Sequence, residues 1–557
     1  MLRPKNHHSS TVSSTLVSPR RHNSSNNNNT NPMGPSHSRL PFRSSRWSSN
    51  PVRLLVILLI GCGMMGIIVS YKGIVGSVVL LARAANEAWG GTLVMPVWQR
   101  GFLDIHHLRV GTSVCTFVVF PDGTTMLIDA GDKNYTALAP DVQSIVQPPH
   151  PNDSKTIAEW ILDYVQHFWP HKKLDQEWNV DNHGDDESDK KIYKLDYALI
   201  THFHKDHMGT ISEGIWPKSK SGNFLKTGIT WIAEDESITI GTMIDRNYPH
   251  YNVPISDLRN YNEDMDNYLK FVQENKRGEK IQMEGFQVGS YQQIRPLATV
   301  SPSSQRKGLL CSDGQVSVPT TSTTASSKEF RCIHFMVRNI KANLNFSPAL
   351  PDNQHVFAIP DTGLLVDQET GKWNENKLAI AIVMEYGNFA YYGGSDQEHR
   401  DFEGSENIDT VTPVAMAAGR VDVATLNHHG YGTNDAYFRY LDPTVMILPG
   451  WHLNHPPKAV SPILRRHKNK NTGQRRYWFS TYRHPDNEPT ADDDVTWDAS
   501  HGHVVVRVYP PVPLPKENGK DDRTSLPSQE QEYQVYVLNG QRDVQSVHGP
   551  FVANAKN

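Results

Sequence analysis

The sequence predicts an α/β fold in which stacked β-sheets are covered by helices. Short apolar runs alternate with turn signals from about residue 98 onwards, which indicates many short strands. Residues 156–168 (TIAEWILDYVQHF) instead place apolar side chains at helical spacing. Strands, helices and strands again, with polar residues where the strands end, are typical of α/β layers around stacked sheets.

Pairs of predicted strands follow one another along the chain. CTFVVF (115–120), the turn PDG and TMLIDAGD (125–132) form the first hairpin. KLAIAIVMEYGNFAYYGGSD (377–396) forms a second pair, and residues 503–510 and 533–540 form a terminal one. We find no internal repeat in the sequence. The pattern predicts one sheet-rich domain rather than an array of repeated units.

Residues 98–553 are expected to form this domain, with two insertions. The acidic stretch at 179–190 and the Ser/Thr-rich stretch at 301–328 are predicted to be surface loops. The formal net charge of the 557 residues is -4, which gives no support for binding long nucleic acid. A bridge between Cys311 and Cys332 is compatible with the sequence, but the spacing does not require one.

The N-terminal region is predicted to lie outside the domain. Residues 1–51 are rich in Ser, Asn and Pro, so we expect a disordered segment. Residues 54–71 (LLVILLIGCGMMGIIVSY) carry no charge over eighteen positions, about the minimum that crosses a hydrocarbon core. We therefore predict a transmembrane signal anchor at 52–82. A buried core helix is disfavoured because no amphipathic face exists, and a cleaved signal peptide because the preceding segment is unusually long.

The charge before the apolar run sets the expected orientation. Eight Lys and Arg residues and no acidic residue precede position 54. The positive-inside rule then keeps the N-terminal segment cytosolic and sends the domain to the lumen or the exterior. Glycosylation acceptor motifs at Asn134 and Asn152 agree with that side. The expectation is a single-pass membrane protein of the secretory route.

A cluster of histidines follows the predicted strand DYALI. THFHKDHMG (201–209) puts three histidines and one aspartate within six positions. His202 and His204 alternate with an apolar residue, so both imidazoles can project to one side of an extended segment. Asp206 and His207 follow after one further residue. Two adjacent ligand pairs on a loop that leaves a strand predict two adjacent metal ions.

The pattern HxHxDH after an apolar strand resembles the signature of the metallo-β-lactamase superfamily. Further motifs stand in that family's order: TMLIDAGD with Asp129, YYGGSD ending at Asp396, and LNHHG with His428. The resemblance covers about residues 98–551 and implies an αββα sandwich with a dinuclear metal centre. It implies that Asp396 bridges both ions, that His428 is a ligand and that Asp129 orients a ligand.

Within the superfamily, the chain is closest in character to the metallo-β-lactamase domain of ComEC-type competence proteins. FPDGTTMLIDAG, the second hairpin, the HHG box and NHPP (454–457) carry this likeness. The VGQGDS element usual before the first hairpin is replaced by RVGTSVC (109–115), so any substrate contact made by that element differs here. No second long apolar run exists to form a many-helix channel, so DNA uptake is not implied.

Six residues are expected to bind the metal ions. They are His202, His204, Asp206, His207, Asp396 and His428. The first two are assigned to one ion and the next two to the other, with Asp396 as the bridge because a carboxylate can give one oxygen to each ion. His428 is chosen over His429 because it emerges directly from a predicted strand. Asp206 and His429 are expected to act in catalysis, His429 as a donor or acid that faces the substrate.

Other histidines are weaker candidates. The superfamily often has one more ligand between the first cluster and the bridging aspartate, and His250 in DRNYPHYN has the most suggestive setting. An ordinary surface residue is at least as good an interpretation of it. His455 and His484 are candidates for lining the pocket, although each fits an exposed loop histidine equally well.

The expected ligands all offer nitrogen or oxygen. Zinc is favoured by the number of imidazoles, and manganese or iron fits the same set. A bridging Asp instead of a Cys argues against a site that hydrolyses β-lactams. Such ions acidify a water molecule and stabilise developing negative charge, which predicts a hydrolase. The family likeness favours a phosphoester, as in a phosphodiesterase.

Three alternatives stay open at this stage. The same ligands would serve hydrolysis of a lactone or a thioester. A non-catalytic binding protein that keeps the fold is the second alternative, although complete ligand motifs favour an enzyme. A metal-dependent oxidoreductase is the third, and it would require iron.

Overall fold

The computed structural model describes residues 93–170, 192–212, 214–251, 261–278, 280–297, 314–319, 330–347, 357–358, 374–399, 409–487, 496–513 and 529–555. Among these residues, no helix combines the length and the apolar character needed to cross a membrane. The predicted disordered segment (1–51), the predicted anchor (52–82) and the acidic insertion (179–190) lie outside the described residues.

Short strands make up most of the regular structure. In chain order they are β1 (Leu103–His107), β2 (Thr116–Val119), β3 (Thr125–Ile128), β4 (Tyr193–Ile200), β5 (Ile238–Asp245), β6 (Gln282–Gly285), β7 (Gln315–Pro319), β8 (Phe330–Ala342), β9 (Asn345–Phe346), β10 (Phe357–Ala358), β11 (Ala381–Tyr386), β12 (Phe389–Gly393), β13 (Val423–Thr425), β14 (Val445–Leu448), β15 (Tyr477–Ser480), β16 (His503–Val508), β17 (Val512–Pro513), β18 (Gln529–Glu530), β19 (Glu532–Leu538) and β20 (Val544–Val552). One large sheet has the order β20-β19-β16-β1-β2-β3-β4-β5-β6. The other has the order β10-β9-β8-β11-β12-β13-β14-β15, with β7 paired to β8, while β17 and β18 form a small ribbon.

Helices connect the strands. They are α1 (Pro140–Gln143), α2 (Ile157–His167), α3 (Lys205–Met208), α4 (Gly228–Glu234), α5 (Tyr261–Gly278), α6 (Glu375–Leu378), α7 (Val411–Ala418), α8 (Asp435–Leu441) and α9 (Ser461–Arg466). The helix predicted at 156–168 is α2. It begins after Thr156, whose hydroxyl accepts from the Glu159 backbone N–H (3.2 Å) while the Glu159 carboxylate accepts from the Thr156 N–H (2.8 Å). This reciprocal capping explains where the helix starts.

The strand pairs predicted from the sequence are confirmed. β2 and β3 pair antiparallel, as do β11 with β12 and β16 with β19. The α/β class is confirmed as well, since both large sheets are mixed and helices lie between their strands.

The apolar side chains divide by the face of the sheet on which they lie. In β4, Tyr197 and Leu199 join one core, and Ala198 and Ile200 join another, as the period of two in a strand requires. The first core takes residues from both large sheets. The second combines the outer face of the β1–β6 sheet with α2, α4 and α5, and a third combines the other sheet with α7, α8 and α9. The two sheets therefore share one core, and each has a further core with its own helices.

Both sheets repeat the same order of strands. In one, the antiparallel pair β2–β3 is followed by the parallel strands β4, β5 and β6. In the other, the antiparallel pair β11–β12 is followed by the parallel strands β13, β14 and β15. Neighbouring parallel strands end at the same edge of a sheet, so the segments after β3 and β4 are neighbours, as are those after β12 and β13. These four segments carry the candidate ligands.

The Ser/Thr-rich stretch at 301–328 differs from its prediction where it is described. Gln315–Pro319 form β7, which pairs antiparallel with β8, so the loop prediction is wrong for these residues. Pairing along a neighbouring strand outweighs the weak intrinsic preference of a polar segment. Cys332 in β8 is disulfide-bonded, and its partner lies outside the described residues. Cys115 is a buried free thiol.

Candidate metal centre

The loop after β4 carries the histidine cluster and is fixed by the backbone of other segments. The Ala130 N–H donates to the His207 carbonyl (2.8 Å). The Val114 N–H donates to the Asp206 carbonyl (2.8 Å). The loop then closes in the single turn of α3 and leaves through Gly209, whose φ of 104° favours glycine. The candidate ligands thus stand on a backbone held by its neighbours.

Six side chains form two groups whose ligand atoms lie within 4.8 Å of one another. One group is Asp206, His207, Asp396 and His429, and the other is His202, His204 and Asp396. Asp396 belongs to both groups and is 4% exposed. A buried His/Asp cluster of this kind could hold a metal ion, and the shared carboxylate is what two adjacent ions would require.

His207 is oriented for metal binding. Its Nδ1 donates to Asp129 Oδ2 (2.8 Å), so Nε2 is the ring nitrogen that a metal ion would bind. That Nε2 is buried without a hydrogen bond within the described structure, 3.4 Å from Asp396 Oδ2. A buried polar atom without a partner is unfavourable, and a metal ion bound there would satisfy it. Asp129 therefore lies where it would orient His207 toward a bound ion, and its role stays a prediction.

The charged groups of the cluster stabilise one another. Burial disfavours the imidazolium form of His207, but Asp396, Asp206 and Asp129 outweigh burial and raise its pKa well above the usual range. Burial likewise opposes ionisation of Asp396, but His207 and His429 outweigh it and hold its pKa well below the usual range. Both shifts have the same cause: carboxylates and imidazoles crowd one water-poor volume.

His202 and His204 face each other at the second group. Nε2 of His202 lies 3.0 Å from Nδ1 of His204 and 3.8 Å from Asp396 Oδ2. Nδ1 of His202 lies 3.2 Å from the Thr201 hydroxyl. Burial, followed by the nearby His207 and His204, keeps the pKa of His202 well below its usual range. A neutral imidazole is the form that binds metal.

His429, not His428, lies in the four-residue group. Its Nδ1 donates to the Pro449 carbonyl (2.6 Å), and its Nε2 lies 3.1 Å from Asp206 Oδ2 and 3.6 Å from Asp396 Oδ2. This is the arrangement expected of a ligating imidazole held by a backbone carbonyl. The sequence-based assignment gave His429 a substrate-facing role, and its position suits a ligand better.

His428 lies beside the cluster. Its Nδ1 is 2.8 Å from Glu398 Oε1, and its Nε2 is 3.3 Å from Asn376 Nδ2 and 3.9 Å from Asp396 Oδ2. The His428 side chain is 17% exposed, more than those of His202, His207 and His429, which also lie near Asp396. Glu398 and Asn376 hold the ring at the edge of the cluster.

Two of the three weaker histidine candidates lie in different settings. His250 is exposed and belongs to neither group. His455 is buried and its ring stacks on that of His429, with centroids 4.1 Å apart and an interplanar angle of 3°. Its Nδ1 accepts from the Trp451 N–H (3.2 Å), so it supports the wall of the centre behind a candidate ligand.

Several residues around the centre were not predicted from the sequence. The indole N–H of Trp451 donates to Asp206 Oδ2 (3.0 Å). Lys133 Nζ lies 4.3 Å from the centre of the Trp451 ring, a cation–π contact. The signal for Trp451 was weak: it stands in GWHLNHPP, three residues before the quoted NHPP motif. Lys133 follows the Asp-x-Gly motif by two residues and carried no pattern of its own.

Non-glycine residues with positive φ cluster in the loops that form the centre. The values are 58° at Asp129, 50° at Ser395, 45° at His428 and 51° at His429. A non-glycine residue in this region costs about 1–3 kcal/mol and is retained where the surroundings impose it. Positive φ values at the ends of β3, β12 and β13 are what a candidate functional site at these loops predicts.

Gly131 is required by close packing against the histidine loop. A Cβ at this position would lie 2.0 Å from the Asp206 carbonyl oxygen, which is backbone and cannot move aside alone. We expect Gly131→Ala to displace Asp206. The metal affinity of the protein should then fall at least about tenfold, because a displaced residue no longer holds a ligand in place. Metal content by elemental analysis checks this. Gly278→Ala is the matched control, because its φ is not positive and a Cβ there meets nothing closer than 3.6 Å. Unchanged metal binding in Gly131→Ala would contradict the prediction.

A comparison with models of known protein families gives no match for this chain, and a comparison with curated proteins gives none either.

Proposed function

We propose that this chain is a metallo-β-lactamase-fold hydrolase whose dinuclear metal centre activates water, with a phosphoester as substrate. The observation that carries the proposal is the sharing of Asp396 by two buried groups of ligand atoms. One carboxylate between two sets of histidines is the arrangement for two ions a few ångströms apart.

The fold supports the proposal. Two sheets with a common core, each with helices on its other face, are compatible with an αββα sandwich. The candidate ligands follow β4, β12 and β13, and the orienting Asp129 follows β3, as the resemblance implies.

The ligand set we propose differs from the sequence-based one at a single position. His202 and His204 would hold one ion, and Asp206, His207 and His429 would hold the other. Asp396 belongs to both groups of side chains. His428 then takes the substrate-facing position, because Glu398 and Asn376 hold it beside Asp396.

The chain's own residues prepare the centre for hydrolysis. Two bound divalent ions, most simply zinc, with manganese or iron as alternatives, would supply an acidified water and positive charge for the developing oxyanion. Asp129 holds the proton on His207 Nδ1, and the Pro449 carbonyl holds that on His429 Nδ1. Trp451 fixes the carboxylate of Asp206, and Lys133 adds positive charge beside it. Two bound divalent ions together with Lys133 would suit an anionic substrate such as a phosphodiester.

Metal analysis with a substrate screen tests the function. The full chain is purified, its metals are measured, and bis(p-nitrophenyl) phosphate, an acyl lactone and a thioester are offered in parallel. We expect about two equivalents of zinc or manganese and hydrolysis of the phosphodiester first. Preference for the lactone or thioester would transfer the proposal to those substrates, two equivalents of iron would favour redox chemistry, and absence of bound metal would leave a binding protein.

We propose further that the domain is anchored in a membrane and faces the lumen or exterior. The disulfide at Cys332 supports an oxidising compartment. The support from sequence is the apolar run at 54–71 and the basic residues before it.

Glycosylation provides a test of this orientation. Asn152 is exposed, and its Oδ1 accepts from the Ser154 N–H (3.0 Å). Asn134 is half-buried, and its Nδ2 packs so closely on Gly214 that a Cβ there would lie 2.3 Å away. In eukaryotic secretory expression, we expect a glycan on Asn152 and none on Asn134, seen as a mobility shift on glycosidase treatment that is lost in Asn152→Gln and kept in Asn134→Gln. Identical mobility of the wild-type chain before and after glycosidase would contradict it.

A further inference from the structure

Arg109 is half-buried and lacks the carboxylate partner that three buried arginines have. Arg246, Arg476 and Arg507 each pair with a carboxylate, at 2.7, 2.6 and 2.6 Å respectively. Arg109 has no carboxylate partner among the described residues, and its buried Nε makes no hydrogen bond. Its guanidinium carbon lies 5.5 Å from the centre of the Tyr482 ring. An uncompensated, partly buried guanidinium is unfavourable unless an anion completes it.

The surroundings of Arg109 contain more polar atoms without partners. They are Thr112 Oγ1, His150 Nε2 and both side-chain amide atoms of Gln147. Thr112 is 0% and Gln147 is 1% exposed, so water does not freely replace the missing partners. The two backbone segments that carry these atoms are joined by a hydrogen bond from the His150 N–H to the Val110 carbonyl (3.2 Å). Polar atoms without partners therefore lie on both segments, the one that carries Arg109 and the one bonded to it.

The same two segments lead to the metal centre. From Arg109 the chain runs to Val114, whose N–H donates to the Asp206 carbonyl (2.8 Å). On the other segment, the Gln147 N–H donates to the carbonyl of Trp451 (2.7 Å), the residue whose indole N–H contacts Asp206. The segment that carries Arg109 and the segment bonded to it are thus both joined to the backbone of the proposed centre, and Arg109 is not one of its ligands.

We propose that Arg109 is the anchor of an oxyanion-binding site beside the metal centre, which takes a phosphate group. A guanidinium presents donors in a fork that matches phosphate oxygens, and the Tyr482 ring keeps it in position. The phosphate is either a second anionic group of the substrate or a separate inorganic ion. That the phosphate belongs to the substrate rests on the proposed function. That Arg109 binds phosphate does not.

Thermal melting with inorganic phosphate tests the site. The full chain is melted in rising phosphate at constant ionic strength, as wild type, Arg109→Gln and Arg475→Gln. Arg475 is the matched control, because it also lies over a tyrosine ring (Tyr477, 5.1 Å) but has a carboxylate partner in Asp498 (2.8 Å). We expect phosphate to raise the melting temperature of the wild type and of Arg475→Gln by about 2 °C or more, in a saturable way. This rise in melting temperature should be lost in Arg109→Gln.

Further variants separate this site from the metals. Phosphate that binds at the metal centre would raise the melting temperature of Arg109→Gln as well. A rise in melting temperature that depends on Arg109 would instead persist in Asp396→Ala. Arg109→Lys keeps the charge and should retain part of the rise if Arg109→Gln proves too unstable to melt cooperatively. Equal rises in the wild type and Arg109→Gln, or no rise in the wild type, would overturn the proposal.

A substrate pair distinguishes the two sources of phosphate. Thymidine 5′-(p-nitrophenyl phosphate) is compared with the same compound carrying a 3′-phosphate. If the site binds the substrate, Arg109→Gln lowers kcat/KM for the second compound about tenfold more than for the first. If both compounds respond equally while the phosphate-induced rise still depends on Arg109, the site binds a separate ion.

Discussion

Replacing Asp396 by alanine is expected to remove both metal ions and to lower kcat/KM for a phosphodiester at least about 10³-fold, because Asp396 is the only side chain common to the two ligand groups among the described residues. Its Oδ2 lies 3.4 Å from His207 Nε2, 3.6 Å from His429 Nε2 and 3.8 Å from His202 Nε2. Without Asp396, no carboxylate is common to the two ligand groups, so neither group would keep its full set of ligands. Metal per chain by elemental analysis and steady-state kinetics check the result.

The control for this variant must be another buried aspartate at the same sheet. Asp422 immediately precedes β13, is 0% exposed and accepts from the backbone N–H groups of Ala390 (3.0 Å) and Asn554 (2.9 Å). Asp422→Ala should lower the melting temperature but keep both metals in the folded protein. Two ions retained in Asp396→Ala would sink the dinuclear assignment, and loss of metal in both variants would indicate unfolding instead of a ligand effect.

The sequence predicted those parts of the fold that depend on local pattern. The hairpins β2–β3 and β11–β12 follow from strand periodicity around tight turns, and α2 follows from apolar spacing behind Thr156. β7 was missed because its polar residues are held as a strand by pairing with β8. A local pattern does not contain that long-range pairing.

The same distinction applies to the candidate centre. His202, His204, Asp206 and His207 stand in one motif, and proximity in sequence was enough to group them. The indole of Trp451 reaches Asp206 across 245 positions of the chain, so only the tertiary fold brings the two together. The strand order repeated in the two sheets was also invisible in the sequence, because it is a property of backbone connections and not of side chains.

The choice between His428 and His429 shows most clearly where sequence reasoning ends. Both follow β13 and both have positive φ, 45° and 51°, so the backbone turns sharply between the two side chains. Which ring enters the cluster depends on the carbonyl of Pro449, twenty positions further along, which accepts from His429. Emergence directly from a strand is therefore a poor guide when the ligand sits on a strained turn.

We expect His429→Ala and His428→Ala to have different effects on metal content. His429→Ala should lose one of two ions and reduce kcat/KM by about 10²–10⁴-fold, because it removes a ligand beside Asp206 and Asp396. His428→Ala should keep both ions and reduce kcat/KM by about ten- to a hundredfold, because the ring stands at the edge of the centre. Elemental analysis and kinetics on each purified variant provide the measurement.

His250→Ala controls for the loss of a histidine as such, since that side chain is exposed and lies in neither ligand group. It should match the wild type in metal content and in kcat/KM. The reverse pattern, with an ion lost in His428→Ala and both kept in His429→Ala, would restore the assignment made from the sequence alone. In that case the hydrogen bond from His429 to the Pro449 carbonyl would hold a ring that faces the substrate. The number of metal ions per chain in the two variants therefore decides which of the two adjacent histidines is the ligand.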